Sequence, residues 1–199
     1  MKFKKLSEVK VKDKKVLLRI DINSPVINGK IEDNPRLQEC AHTIKYLIKN
    51  KAKLVIIAHQ GRKGDRDFVS LKQHASLLTK HSKIKITYID SLFEATASRA
   101  IENLKSGSAL LLKNVRSYDD ELDINKKDNK FSEFSKQFDL FVNDAFSVCH
   151  RKQSSLMIPP KYITSCIGLA LEKEISALDK FSIKNKPTLY LLGGAKVDD

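Results

Sequence analysis

Short apolar runs alternate with amphipathic stretches along almost the whole chain, and that alternation is what most limits the fold. Val16–Ile20, Leu54–Ala58, Ile84–Ile89, Ala109–Leu112 and Leu140–Val142 have strand length. Helix-like stretches separate them, from Pro35 to about Asn50, then over Leu71–Lys80, Phe93–Leu104 and Phe131–Phe138. Ser165–Ile167 reads as a further short strand, Leu169–Phe181 as a helix and Thr188–Leu192 as a last strand. β-α alternation of this kind predicts an α/β fold: a three-layer, Rossmann-like domain with a mostly parallel sheet and helices on both faces. A polar break at Ser182–Pro187 is the natural boundary between that domain and whatever the last strand belongs to.

Composition narrows the setting. No stretch approaches the roughly 20 apolar residues of a membrane span, and the charged start MKFKKLSEVKVKDKK has no apolar signal core. The three cysteines, Cys40, Cys149 and Cys166, are scattered and lack metal spacing, as expected in a reducing cytoplasm. The formal net charge of +13 points to anionic partners, although lysine spread over helix faces accounts for most of it. The seven arginines carry more information by position.

In open parallel sheets, ligands bind beyond the carboxyl ends of the strands. Asp21-Ile22-Asn23 follows the first strand, and His59-Gln60-Gly61-Arg62 follows the second. Asn114-Val115-Arg116 follows Ala109–Leu112, while Asn143 and Asp144 follow Leu140–Val142 with His150-Arg151 close behind. Arg36 falls in the first turn of a helix that Asp33 or Asn34 can cap and Pro35 can begin, where free N–H groups also favour an anion. One sheet edge would therefore gather Arg36, Arg62, Arg116 and Arg151, with Asn23, His59 and Asn143 beside them. The arginine fork suits phosphate or carboxylate, so an anion site is the expectation. Taken singly, each arginine could instead be solvated or paired with Asp21, Asp33 or Asp144.

Other chemistry finds little support. No HExxH, CxxC or paired-histidine spacing accompanies His59, so no metal site is expected. Cys149 beside His150 reads as a small packing residue rather than a nucleophile, and His42, His74 and His81 as surface or packing residues of helices. Gly193-Gly194-Ala195-Lys196 is not a Walker A loop, though glycines after a strand allow close approach to phosphate and Lys196 adds charge.

In order, RIDINSP, DNPR, AHQGRKGDRDF, LLKNVR, VNDAFSVCHR and LLGGAKVDD resemble phosphoglycerate kinases, with HQGR and DINSP similar to the archaeal branch. The resemblance implies a two-lobed enzyme that moves a phosphoryl group between ATP and the carboxylate of 3-phosphoglycerate, giving ADP and 1,3-bisphosphoglycerate. It implies that residues 1–168 form the 3-phosphoglycerate domain, 169–186 the joining helix and linker, and 187–199 the start of the nucleotide domain. Asp21 and Asn23 would orient the substrate's hydroxyl and carboxylate. His59, Arg62, Arg116 and Arg151 would hold its phosphate, and Arg36 would face the transferring group. Gly193, Gly194 and Lys196 would meet the nucleotide, Lys196 as a catalytic cation. Mg-ATP or Mg-ADP would bind mainly to a C-terminal nucleotide lobe outside this chain, leaving the chain inactive alone. Lys113 departs from the family's usual glutamate, as do Ser117 and Val148-Cys149 from its usual residues. The competing expectation is a non-catalytic basic domain that binds anions or RNA, against which no RNP, KH or helix-turn-helix pattern appears. A dinucleotide-binding dehydrogenase fails because the first strand leads into DINSP and not GxGxxG.

Overall fold

A computed structural model describes residues 3–180, with the side chain of Lys180 left out. Six parallel strands form the central sheet: β1 (Lys15–Ile20), β4 (Lys53–Ile57), β5 (Ile86–Ile89), β6 (Ser108–Leu112), β7 (Leu140–Asp144) and β8 (Ser165–Ile167). Their spatial order is β5-β6-β4-β1-β7-β8. A small antiparallel hairpin, β2 (Val26–Ile27) with β3 (Lys30–Ile31), branches off after β1. The helices are α1 (Pro35–Lys49), α2 (Lys72–Ser82), α3 (Ala95–Glu102), α4 (Lys130–Ser135), α5 (Ser154–Met157), α6 (Pro159–Tyr162) and α7 (Leu169–Lys180).

Strand residues alternate between two cores, because successive side chains leave a sheet on opposite faces. Val16, Leu18, Ile20, Leu54 and Ile56 pack with Leu37, Ile44 and Leu47 of α1 and Leu78 of α2. Leu17, Val55, Ile57, Leu110 and Leu112 meet Ile101 of α3, Phe131 and Phe134 of α4, and Phe138. Helices therefore cover both faces, and the three-layer expectation holds. A parallel sheet buried on both sides needs such nearly continuous apolar strands.

Local signals set the element ends. Asn34 caps α1, its side chain accepting the Arg36 N–H at 3.0 Å, and Pro35 takes the first helical position. The expected helices over Leu71–Lys80 and Phe93–Leu104 appear slightly shifted, and the strand expected from Ile84 begins at Ile86. The hairpin and the short helices α5 and α6 had no sequence expectation, because stretches of two to four residues are too short for a periodic pattern. The expected strand Thr188–Leu192 and the boundary at Ser182–Pro187 lie outside the described residues.

The order places β4 on one side of β1 and β7 on the other, so the connections from β1 and from β7 depart in opposite directions. A crevice opens at such a switch point, at the carboxyl ends of the strands. Among the described residues no helix is long and apolar enough to cross a membrane.

Candidate functional site

The turn after β4 is built before any ligand is considered. Gln60 is fully buried; its Oε1 accepts the Ser24 N–H at 2.8 Å, and its Nε2 donates to the Ser24 and Asp67 carbonyls at 3.0 and 3.1 Å. Asn114, after β6, donates to the Gln60 carbonyl at 2.7 Å, and Asn23, after β1, accepts the Gly61 N–H at 2.8 Å. Gly61 has φ +61°, and a Cβ there would lie 2.5 Å from the Asp67 carboxylate oxygen and 2.6 Å from its backbone. Only glycine fits that position. Three strand ends thus fix one turn, and the turn fixes where Arg62 begins.

Arg62, Arg116 and Arg151 line one cleft of about 410 Å³ with Lys63, Asp119, Leu122 and Gln153. Arg116 is largely buried and donates to the Gly61 carbonyl at 2.5 Å, so it is anchored at its base. Its pKa is lowered by burial and by the neighbouring Arg151 and Arg19 cations. Arg62 is exposed, and Arg151 is half-buried with its Nε near His150 Nε2 at 3.2 Å. Among the described residues none of these three forms an ion pair; the cleft's only carboxylate, Asp119, is held by Lys63 at 3.0 Å. Unpaired arginines converging on one concavity are what an oxygen anion needs.

Arg36 behaves differently. It lies outside that cleft and pairs with Asp21 at 2.5 Å, its side chain 55% exposed. Here the pairing alternative is realised: Asp21 Oδ2 also accepts the Ser147 hydroxyl, while its Oδ1 accepts the Asn23 N–H at 3.0 Å. Among the described residues one of Arg36's five donors is used. Asp33 pairs with Lys80 and His81 instead of an arginine. Asp144 turns away to cap α7, accepting the Leu171 N–H at 2.9 Å, and burial raises its pKa. Asn143 likewise turns back, accepting the Ala145 N–H at 3.1 Å and donating to Cys149 Sγ at 3.5 Å.

His59 is buried beneath the cleft. Burial, then the charges of Arg19, Arg116, Arg151 and Arg36, lower its pKa to about 2. It is a neutral ring at any ordinary pH. Its Nδ1 faces Arg19 Nη2 at 3.1 Å. Arg19 itself is not among the residues that strand-end position picks out, since it sits inside the apolar run VLLRI as if part of a strand core. It is fully buried, as is Glu121, with Ser155 between them. The one available signal was the charge itself, a lone arginine within the otherwise apolar run Val16–Ile20.

Some expectations need correction. Cys149 is exposed and not a packing residue; partial burial of its sulfur raises the thiol pKa above its usual value, so it is no activated nucleophile. His74, fully buried and bonded to Gln60 at 3.2 Å, is a packing residue as expected, and His81 Nε2 lies 2.6 Å from Asp33 Oδ1. Gly193, Gly194 and Lys196 lie outside the described residues. Among the described residues no group of three or more His, Cys, Asp or Glu side chains could hold a metal ion.

The fold and cleft define an open parallel α/β domain with an arginine-lined cleft at the carboxyl edge of its sheet. Comparison with known proteins makes this specific. The family model for phosphoglycerate kinase matches residues 6–199. The phosphoglycerate kinase of Sulfolobus acidocaldarius is 39% identical over 98% of this chain and 49% of its own length, and that of Methanothermus fervidus 37% over 100% and 50%. The crystal structure of phosphoglycerate kinase from Pyrococcus horikoshii superposes with a TM-score of 0.90 at 36% identity, covering 98% of this chain and 49% of that one. That from Coxiella burnetii gives 0.74 at 31% identity, covering 90% of this chain and 45% of that one. The chain belongs to the phosphoglycerate kinase family. It spans about half the length of the curated relatives it matches. Nothing in these comparisons supports the RNA-binding alternative.

Proposed function

We propose that this chain is the 3-phosphoglycerate-binding half of a phosphoglycerate kinase, acting in reversible phosphoryl transfer between ATP and the substrate carboxylate. On this reading residues 1–168 form the substrate domain, 169–186 the joining segment and 187–199 the start of a nucleotide domain, whose remainder is the lobe it must meet. The observation that carries the reading is the cleft where Arg62, Arg116 and Arg151 converge without an opposing carboxylate of their own. A phosphate monoester carries about two negative charges, and three guanidinium forks match its oxygens. His59 adds a neutral donor. Asp21 and Asn23 would orient the hydroxyl and carboxylate end, Asp21 accepting from the hydroxyl.

The chemistry asks little of acid–base groups. The attacking carboxylate is already ionised, so positioning and charge neutralisation must supply most of the rate. Arg36 is suited to both, because its exposed fork, held at one corner by Asp21, keeps donors for the transferring phosphoryl group. Lys196 would approach from the nucleotide side, with Gly193 and Gly194 near the nucleotide phosphates. Magnesium and nucleotide would be held mainly by the other lobe, where magnesium supplies further charge neutralisation. The three free cysteines accord with a cytoplasmic setting.

Calorimetric titration with 3-phosphoglycerate tests the reading. Arg62→Ala should weaken binding by roughly 10–100-fold, the worth of one charged hydrogen-bonded contact. Equal affinities for wild type and variant would sink the assignment.

A further inference from the structure

Beneath the arginine cleft, a line of buried side chains ends on His59. Glu121, in the turn after the 115–117 helical turn, is fully buried, and both its oxygens are engaged by Ser155: Oε2 accepts the Ser155 N–H at 2.8 Å and Oε1 the Ser155 hydroxyl at 2.7 Å. Since that hydroxyl gives its hydrogen to Glu121, its lone pairs are free, and it accepts from Arg19 Nε at 3.0 Å. Arg19 is fixed at a second point, Nη1 donating to the Ile20 carbonyl, and its Nη2 reaches His59 Nδ1 at 3.1 Å.

Arginine has donors only and stays protonated, so the nitrogen facing it must accept. His59 Nδ1 therefore carries no hydrogen, and the ring's one hydrogen is on Nε2. That nitrogen makes no hydrogen bond among the described residues. Charged groups around the ring act in the same direction: Arg19 from β1, Arg116, Arg151 and Arg36 from α1 all disfavour a second proton. A buried arginine and carboxylate are costly to bring together, which makes a purely packing role a poor explanation for this line.

We propose that Glu121, Ser155 and Arg19 are positioning residues that lock His59 as a neutral ring with its hydrogen on Nε2, a pH-independent donor to the oxygen anion in the arginine cleft. The inference rests on the anion reading of that cleft. It adds that the site distinguishes its donors: the arginines supply charge, and His59 supplies direction without charge.

The test is a long-range 1H–15N correlation of the histidine rings in the 199-residue chain, with His59→Gln assigning the signal among five histidines. The expected wild-type pattern is an unprotonated Nδ1 and protonated Nε2, unchanged from about pH 5 to 8, a window that spans the ordinary histidine pKa. Adding 3-phosphoglycerate should shift the Nε2 hydrogen, and inorganic phosphate should do so less. Glu121→Gln and Ser155→Ala should mix the tautomers and weaken 3-phosphoglycerate binding by about 3–10-fold, as for one lost neutral hydrogen bond. Arg19→Met should free Nδ1 and mix the tautomers; Arg19→Lys, which keeps the charge, should restore the single tautomer in part. A hydrogen on Nδ1, or titration of wild-type His59 between about pH 5 and 8, overturns the proposal even if every variant fails to fold. So do variants whose tautomer matches wild type. If 3-phosphoglycerate binds in an Arg62-dependent way while His59 titrates, only the lock fails; if the lock is seen but nothing binds, only the anion reading fails.

Discussion

Two clefts in this molecule differ more in charge than in size. The larger, about 630 Å³, lies against α4 and α6 and is lined by Lys126, Lys130 and Lys161 together with Glu94, Asp128 and Glu133. Three of these six charges have partners within the protein. Lys126 pairs with Asp120 at 3.0 Å and Glu133 with Lys136 at 2.6 Å, while Glu94 accepts from Tyr118 and Ser91. The smaller cleft carries four cations and one carboxylate, and its three arginines have no ion-pair partner among the described residues. Volume alone would pick the larger one. Unspent donors, held in place from behind, mark the site where an anion is expected.

The comparison breaks most readily at Arg116. This side chain is anchored on the Gly61 carbonyl at the floor of the small cleft, so it can meet an anion with little further loss of freedom. Arg116→Ala should reduce 3-phosphoglycerate affinity about 100-fold, the upper range for a charged contact, because it also releases the turn that carries Arg62. Calorimetry measures the loss directly. An affinity within a few-fold of wild type would make the two clefts equivalent and remove the reason for preferring the smaller.

What was legible in the sequence follows the same division. Six parallel strands and their covering helices were readable because each strand is an apolar run and each helix has a 3.6-residue period. The rim arginines were readable because they follow strand ends. The support beneath them was not. Arg19 hides within VLLRI; Glu121 ends a short helical turn and Ser155 lies in the four-residue α5, both too short for periodicity and 34 residues apart in the chain. Their roles exist only through contacts between distant segments. Gln60 and Asn114 were placed at strand ends but given no role for the same reason: a buried polar side chain looks like a loop residue until its partners are known. Arg36 is the mixed case, at a helix start as expected yet paired with Asp21 rather than facing the cleft.

Acid sharpens the contrast between the clefts, because the small one stands on neutral histidines and the large one has none. Burial lowers the His74 pKa to about 4, and His59 lies lower still. Both folded values fall below the unfolded value of about 6.5, so the unfolded chain binds more protons between them and stability falls as pH drops below about 6.5. Each group should cost about 1.4 kcal/mol per pH unit in that window. Thermal melts of wild type and His74→Gln at about pH 7 and pH 5 check this. Glutamine keeps a donor for Gln60 but cannot take a proton, so the variant should lose about 2 kcal/mol less than wild type on acidification. Equal slopes would show that His74 already titrates normally in the folded protein.

The smallest effect expected is also the one that would most change the comparison if absent. Lys130 and Lys161 line the large cleft, and neither forms an ion pair among the described residues. If cations alone made an anion site, these two would suffice to bind phosphate there. Lysine, however, is a strongly hydrated point charge on a flexible stem, and Glu94, Asp128 and Glu133 line the same cleft. The net field in that cleft is close to balanced, and what remains is screened within roughly 10 Å at ordinary salt. The double variant Lys130→Ala, Lys161→Ala should therefore change 3-phosphoglycerate affinity by less than about twofold, through the loss of general positive charge only. Repeating the titration at higher salt should erase even that difference while leaving the contrast with Arg116→Ala intact. A tenfold loss in the lysine variant would mean that a second anion site lies against α4 and α6, and that charge balance is a poor guide to function in this fold.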